Sequence, residues 1–184
     1  MPQAIGVSSD TKQRVFFALV PDAATQALLG AVARDVALRA GGRAIVDANI
    51  HLTLAFIGDV GVERIDVLRD VVDALPRDAF LLALDCIGTF RHSNVAWIAP
   101  SRVLDSLLVL HSRLVTALAK NDFEIEQRPF HAHVTLARRC TRNPAKAQLK
   151  PIEWEVRRVA LMGSIADNGG VCYRELAGVN LIDS

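Results

Sequence analysis

Two short stretches of the chain combine an imidazole with a hydroxyl group two residues later. The first is His51-Leu52-Thr53-Leu54, and the second, 82 residues further on, has His133 and Thr135 in the same arrangement. Histidine can take or give a proton near neutral pH, because its unperturbed pKa is about 6.5. Two histidines on opposite sides of a cleft can therefore supply the base and the acid of one reaction.

The side chains around the second histidine favour an anionic ligand. A threonine hydroxyl donates a hydrogen bond to an anionic oxygen, and Arg138 adds a charged donor three residues after Thr135. The overall balance of 21 basic and 20 acidic residues gives no argument for a nucleic-acid partner. The distribution is uneven, however, since residues 128–184 carry 9 Lys and Arg against 5 Asp and Glu, whereas residues 1–127 carry 12 against 15. The chemistry implied is that of a phosphate ester.

Competing kinds of active site have less support in the sequence. A zinc ion bound by His131 and His133 would need a third ligand, and no HExxH motif or Cys/His cluster supplies one. The motifs GxSxG, GxxxxGK[ST] and GxGxxG are also absent, so a serine hydrolase, a P-loop NTPase or a dinucleotide enzyme is not indicated. We therefore expect a site without metal or cofactor.

Both motifs are typical of β-strands with one apolar face. Strand side chains alternate between faces, so His131, His133 and Thr135 are expected to point one way, and Val134 and Leu136 the other way. A polar stripe on one strand is most often a solvated sheet face. The recurrence of the pattern in two strands of one small protein favours a functional site instead.

The elements that must position the motifs follow from hydrophobic periodicity. We predict a flexible tail over residues 1–13 and a single domain over residues 14–184. The pattern predicts strands at residues 14–20, 43–46, 49–57, 79–87, 94–99, 130–138, 153–165 and 171–177. It predicts helices at residues 22–39, 61–75 and 143–149. It predicts another helix that Ser101 caps and whose apolar stripe runs from Leu104 to Leu118. This order suggests an α+β fold of two pseudo-symmetric lobes, each with one His-x-Thr strand.

Two further histidines are assigned structural positions. His111 belongs to the apolar stripe of the third helix, where a lone histidine is more often a core or boundary residue than a catalytic one. His92 lies in a turn between two predicted strands and is expected to be exposed to solvent.

Composition bounds the class of protein. The chain has 184 residues, of which 51% are hydrophobic and 22% charged, as in ordinary globular domains. Three scattered cysteines favour a reducing compartment over a disulfide framework. The sequence shows no apolar run of signal-peptide or membrane-spanning length. We expect a cytoplasmic monomer with no membrane partner.

The motifs and their surroundings resemble the two-histidine phosphoesterase superfamily, specifically the RNA 2',3'-cyclic phosphodiesterases that are also called 2'-5' RNA ligases. The matching segments are residues 15–19, 49–58, 88–98 and 130–138. The resemblance implies a bilobal α+β fold in which two antiparallel sheets, with helices packed outside, frame a central cleft. It also implies that the partner is an RNA or oligonucleotide with a 2',3'-cyclic phosphate end, which is opened to a 2'-phosphate without a metal ion.

The resemblance also assigns roles to the motif residues. His133 is expected to act as the general base on water and His51 as the general acid, although the two roles could be reversed. Thr53, Thr135 and Arg138 are expected to hold the phosphoryl oxygens.

One departure from the family pattern lies beside the second motif. Family members often have proline immediately before the motif histidine and a basic residue before that proline, whereas this chain has Ala132 and His131 there. His131 and the preceding Phe130 are therefore interpreted as possible rim residues of the substrate site.

Two other functions use the same features. A non-catalytic module for single-stranded RNA would bind through the basic surface near Arg138 and stack bases on exposed aromatic residues such as Phe130. A 2'-5' RNA ligase or 2'-5' phosphodiesterase would act through the same histidines.

Overall fold

The computed structural model describes residues 11–125, 128–144, 147–167 and 170–183. These parts of the chain contain nine strands and three α-helices. The helices are α1 (Ala23–Ala40), α2 (Ile65–Asp73) and α3 (Asp105–Lys120). The strands are β1 (Lys12–Leu19), β2 (Arg43–Ala44), β3 (Leu52–Gly61), β4 (Phe80–Phe90), β5 (Val95–Ala99), β6 (Val134–Arg138), β7 (Ala147–Val156), β8 (Arg158–Asp167) and β9 (Gly170–Asn180).

The strands form one antiparallel sheet in the order β7-β4-β5-β6-β3-β1-β8-β9, with the short β2 paired to β6. The predicted α+β class is confirmed, but the prediction of two separate sheets needs correction. The two motif strands pair directly through Leu52 and Val134, so the sheet continues from one half to the other. Hydrophobic periodicity shows which residues share a face and not which strands are neighbours, and the sequence therefore could not reveal this junction.

The two faces of the sheet are distinguished by alternation along β1. Val15, Phe17 and Leu19 belong to the main core, together with buried residues of all three helices. Phe16 and Ala18 point to the opposite face, where they join a smaller cluster. Helix α1 packs mainly on the half of the sheet that contains β5, β6 and β7, and α2 packs on β8 and β9. The helices thus cover one face, and the other face remains for a site.

Local sequence chemistry explains the first helix well. Asp22 caps α1 by accepting a hydrogen bond of 2.9 Å from the backbone N–H of Thr25. Gly41 ends the helix in the left-handed conformation at a φ of 61°, which glycine adopts without steric cost. The prediction of a helix over residues 22–39 is confirmed.

Strand β3 is longer than the sequence suggested. Gly58 and Asp59 were expected to end it, but the strand continues to Gly61. The pairing of β1 with β3 shifts by one residue next to Gly58, which has a φ of +90°, and Asp59 then forms an ion pair with Arg14. The glycine is therefore part of a β-bulge, which changes the register without ending the strand.

Other boundaries also differ from the predictions. The helix expected at residues 143–149 is wrong, because Ala147 and Gln148 already pair with β4 as the beginning of β7. Ser101 does not cap α3, which begins at Asp105; its hydroxyl and N–H donate to the Asp85 carboxylate instead. Helix α2 begins at Ile65, after a 3-10 turn.

The N-terminal tail was predicted to end at residue 13. Strand β1 begins at Lys12, and residues 1–10 lie outside the described part of the chain. Within the described residues, none of the helices combines the length and apolarity required to cross a bilayer.

Candidate active site

The junction of β3 and β6 brings the two His-x-Thr motifs side by side. The strands are antiparallel, and Leu52, which lies between His51 and Thr53, pairs with Val134. Val134 in turn lies between His133 and Thr135. Extending that register by one residue in each direction places His51 opposite Thr135. It likewise places His133 opposite Thr53. Each histidine therefore faces the threonine of the other motif on adjacent strands, and the alternate residues are buried in the core.

Two hydrogen bonds fix the ring of His51. Its Nδ1 lies 2.7 Å from the backbone carbonyl oxygen of Asn49, and because a carbonyl only accepts, Nδ1 carries the proton and donates it. In the neutral ring Nε2 then has a free lone pair, which accepts the Thr53 hydroxyl at 3.0 Å. Burial lowers the pKa of His51 to about 4, and the charges of Arg138 and His133 act in the same direction. The ring is consequently neutral at pH 7.

His133 is held in the same way. Its Nδ1 donates to the carbonyl oxygen of His131 at 2.6 Å, which again leaves Nε2 with a lone pair. Burial lowers its pKa below the ordinary value, and the charges of His131 and Arg138 lower it further. Both motif histidines thus donate from Nδ1 to the carbonyl two residues earlier. The shared hydrogen bond gives the two rings the same tautomer.

Aromatic rings border each histidine. Phe16 and Tyr173 contact His51 with ring centroids 4.9 and 5.2 Å away, and they contact each other edge to face at 4.8 Å. Phe90 lies edge-on to His133 at 4.9 Å. These aromatic neighbours exclude water from one side of each imidazole, which is the physical origin of the lowered pKa values.

A bulge in β6 brings Arg138 onto the same face as Thr135. Residues three apart in a regular strand point to opposite faces. The register between β5 and β6 slips by one, however, because Trp97 pairs with Thr135 whereas Ala96 pairs with Ala137. The slip returns Arg138 to the side of the histidines, where its charge lowers the pKa of both.

A cleft of about 630 Å³ opens on this face of the sheet. Four of the five residues expected to act on the phosphate line it, namely His51, Thr53, Thr135 and Arg138. His133 is not among the lining residues, but the strand register places it opposite Thr53, which is one of them. Among the described residues, the lining contains no Asp or Glu. It is formed by Arg14, Phe16, Arg43, Ala44, Ile45, Val46, Asn49, His51, Thr53, Phe56, Thr135, Arg138, Arg139, Ser164, Val171 and Tyr173. The cleft is therefore suited to an anionic ligand that is larger than one phosphate group.

Comparison with known proteins agrees with this architecture. Residues 12–168 match the family model of the 2'-5' RNA ligase superfamily. The chain belongs to this superfamily. The family predicted from the paired motifs is thus confirmed.

Individual members of the superfamily are similar to different parts of the chain. An RNA 2',3'-cyclic phosphodiesterase of Escherichia coli (strain K12) is 34% identical over 97 residues, which is 53% of this chain and 55% of that protein. A protein of the same name from Archaeoglobus fulgidus is 25% identical over 173 residues, or 89% of this chain and 97% of the relative. The crystal structure of E. coli LigT complexed with 3'-AMP has a TM-score of 0.82 at 26% identity and covers 94% of this chain and 100% of that one.

The two predicted rim residues lie outside the cleft lining. Phe130 stacks on His111 of α3, with centroids 4.0 Å apart and planes at 15°, and packs against the main core. His131 packs against Phe90 and Trp97, 5.4 and 5.0 Å away. His131 thus lies beside His133, the candidate catalytic residue. Phe130 packs against His111 and the core instead.

The structure also bears on His92, His111 and the alternative of a zinc site. His111 is half-buried in its stack, where burial lowers its pKa, and His92 is exposed, as predicted for both. In the described part of the chain, no group of three or more His, Cys, Asp or Glu side chains could hold a metal ion.

Several residues of the site were not singled out from the sequence. Phe16 and Tyr173 lie on strands distant in sequence from both motifs, and Arg43 follows the end of α1. Phe16 carried one usable indication, since β1 has large apolar residues on both faces. The contribution of Tyr173 depends on β9 passing beside residue 49, which only the tertiary structure specifies.

Proposed function

We propose that the protein hydrolyses RNA 2',3'-cyclic phosphate ends to 2'-phosphates by acid–base catalysis without a metal ion. The observation that carries the proposal is the matched tautomer of His51 and His133, each with an Nε2 lone pair on the face that bears both threonines. The superfamily membership and the names of the relatives support the same reaction.

The phosphoryl group is bound by the hydroxyls and the guanidinium of the site. In the complex His51 is protonated and its Nε2 no longer accepts, so the Thr53 hydroxyl is free to donate to a non-bridging oxygen. Thr135 donates to another, and Arg138 provides a charged donor on the same face. Negative charge grows on these oxygens as water attacks phosphorus, so donors already in place lower the barrier.

The proton steps balance once His133 releases its proton to solvent and His51 regains one from it after product formation. His133 takes a proton from the attacking water as the new P–O bond forms. His51 gives a proton to the 3' oxygen as its bond to phosphorus breaks, which leaves a 2'-phosphate and a free 3' hydroxyl. The reverse assignment uses the same two nitrogens.

His51 must be protonated in the complex to serve as the acid. Its pKa of about 4 in the unliganded protein keeps it neutral at pH 7. An anionic phosphate beside Nε2 stabilises the imidazolium and raises that pKa, so substrate binding itself supplies the conditions for the acid role.

The order of the strands supports the arrangement of two lobes expected from the sequence. Four strands lie on each side of the β3–β6 junction along the main strand order, and each half contributes one His-x-Thr strand. We infer that the two halves are the pseudo-symmetric lobes expected from the sequence, joined here in a single sheet.

The test is turnover of cytidine 2',3'-cyclic phosphate in the presence of EDTA. His51→Ala and His133→Ala should each lower kcat by about 10² to 10⁴-fold, and His92→Ala, a change of an exposed histidine, should retain wild-type turnover. Full activity in either motif variant overturns the mechanism. Activity that EDTA abolishes and zinc restores overturns the metal-free reaction, and RNA binding without turnover by the wild type favours the binding module.

A further inference from the structure

Positive charge is concentrated in the cleft. The whole chain has a net charge of +1, but the part of the cleft lining that the structure describes contains four arginines and no carboxylate. The four are Arg14, Arg43, Arg138 and Arg139. A single cyclic phosphate carries one negative charge and can balance only one of these four positive charges.

One of these arginines, Arg14, has a carboxylate partner. Arg14 forms two hydrogen bonds of 3.0 Å with the carboxylate of Asp59. Among the described residues, no carboxylate lies within ion-pair distance of Arg43, Arg138 or Arg139. Three guanidinium groups are therefore available to a ligand.

Two of the three are direct neighbours across strands. Arg43 of β2 pairs with Arg138 of β6 in the antiparallel register. Like charges that face each other across two strands destabilise a sheet, and an anion between or beside them removes the penalty. The pair is thus better suited to a protein with bound phosphate than to an empty one.

Arg43 and Arg138 lie on different strands and differ in their position relative to the motif histidines. Strands β3 and β2 both pair with β6, β3 at its beginning and β2 at its end. Arg138 lies on β6, the strand that carries Thr135 and directly follows His133, whereas Arg43 lies on β2, which meets β6 beyond its junction with β3. We therefore assign Arg138 to the reacting phosphate and Arg43 to a neighbouring group of the ligand.

We propose that Arg43, together with Arg139, forms a second phosphate subsite for the 5'-phosphate of the nucleotide that carries the cyclic phosphate. In RNA this group is the internucleotide phosphate, and in a mononucleotide it is a terminal one. The proposal rests on the proposed function, because it places the cyclic phosphate at the two histidines. It makes 5'-phosphorylated or oligonucleotide ends the preferred substrate class over unphosphorylated cyclic mononucleotides.

The experiment compares three substrates that differ in this phosphate. They are cytidine 2',3'-cyclic phosphate, its 5'-phosphorylated form, and the dinucleotide CpC with a 2',3'-cyclic phosphate end. A charge-assisted hydrogen bond to the added phosphate should raise kcat/KM of the wild type by about 10-fold for the second and third substrates relative to the first. The readout is this ratio of kcat/KM values, which does not depend on the amount of folded enzyme.

Variants of the cleft arginines show which residues produce the higher kcat/KM for substrates with the added phosphate. Arg43→Gln should reduce the ratio to near 1, Arg139→Gln should reduce it in part, and Arg43→Lys should keep part of it because the charge remains. Arg102→Gln is the matched control, since Arg102 is exposed and does not line the cleft. It should keep the wild-type ratio.

Failure of this inference differs from failure of the proposed function. A wild-type ratio near 1, or an Arg43→Gln enzyme with the wild-type ratio, overturns the second subsite while cyclic phosphate turnover persists. Absence of turnover of all three substrates by the wild type overturns the proposed function itself. A gain for the dinucleotide without a gain for the 5'-phosphorylated mononucleotide assigns the effect to the second nucleoside and also overturns the phosphate subsite.

Discussion

Asn49 holds His51 with its backbone and holds β9 with its side chain. Its carbonyl oxygen accepts the Nδ1 proton of His51 at 2.7 Å. Its side-chain Nδ2 donates to the carbonyl oxygen of Val171 at 2.6 Å, and its Oδ1 accepts from the N–H of Tyr173 at 3.3 Å. One residue therefore sets the tautomer of the histidine and also the position of the aromatic ring that packs edge-on against it.

The first prediction concerns Asn49→Ala, which retains the carbonyl but loses both side-chain bonds to β9. Tyr173 is then less firmly held against His51, and we expect kcat to fall by about 10-fold, which corresponds to about 1.4 kcal/mol of transition-state stabilisation. Asn49→Asp keeps an acceptor for the Tyr173 N–H but adds negative charge near His51, so it should raise the pKa of His51 and, with His51 as the acid, shift the alkaline limb of the pH–rate profile upward. An Asn49→Ala enzyme with the wild-type kcat would contradict the positioning role.

The second prediction concerns stability in acid. The pKa of His51 is about 4 in the folded protein and about 6.5 when unfolded, so the unfolded state binds the proton more tightly. The free energy of unfolding should consequently fall as the pH is lowered from about 6.5 towards 4, by up to about 3 kcal/mol from this residue. Urea unfolding at pH 7.5 and pH 4.5 measures the change. A His51→Asn protein should lose less stability over the same interval, and an equal loss in both proteins would assign the effect to other groups.

The third prediction concerns the response of His51 to phosphate. An anion at the site raises the pKa of His51, and by linkage the affinity for that anion increases as the pH falls from 7 towards 5. Titration of the imidazole by NMR with and without cytidine 2'-phosphate measures the shift. His111, which lies on α3 and stacks on Phe130, should titrate identically in both conditions. If the pKa of His51 does not move, phosphate binds away from its Nε2.

The limits of sequence reasoning are visible in the path of β6. The alternation of His133, Val134 and Thr135 correctly assigned the two faces, because local side-chain pattern determines which residues a sheet can bury. The same alternation would send Arg138 to the core face, and only the bulge opposite Ala96 and Trp97 brings it back. Bulges depend on the partner strand, and a single sequence does not specify which strand that is.

The site shows the same division between local and non-local information. The two motifs, their histidines and their threonines could be recognised because each motif is contiguous in sequence. Arg43 and Tyr173 could not, since β2 and β9 reach the cleft only through pairings with β6 and β8. The junction of β3 with β6 is likewise a contact between residues 82 positions apart, so two lobes could be predicted but not their union in one sheet.

The fourth prediction concerns Arg138, which is expected both to lower the pKa values of the motif histidines and to bind the phosphoryl group. Its guanidinium lowers the pKa of both motif histidines, so Arg138→Gln should raise both pKa values and move the pH–rate profile upward. Loss of a charged donor to the phosphoryl oxygens should also lower kcat/KM by about 10²-fold. Arg138→Lys retains the charge but loses the planar fork, so it should keep the wild-type pH profile with reduced kcat/KM. The opposite pattern, a shifted profile in the lysine variant alone, would contradict this account.

The fifth prediction concerns the packing that supports His131 and His133. A Cβ added at Gly88 would lie 2.2 Å from the ring of Trp97, which pairs with Thr135 across the sheet and contacts His131. Gly88→Ala must therefore displace the indole, and such overpacking typically costs about 1–3 kcal/mol. We expect lower thermal stability together with lower kcat, because Trp97 cannot move without disturbing the aromatic neighbours of the second motif.

A second substitution separates steric displacement from other effects of Gly88→Ala. Trp97→Phe in the same chain removes the ring atoms that the new Cβ would meet, and it breaks no hydrogen bond, since the buried indole N–H has no partner among the described residues. The double variant should therefore be more stable and more active than Gly88→Ala alone, a non-additivity that a double-mutant cycle measures by thermal unfolding and by kcat. If the two substitutions act additively, the contact between residue 88 and the indole does not position the second motif.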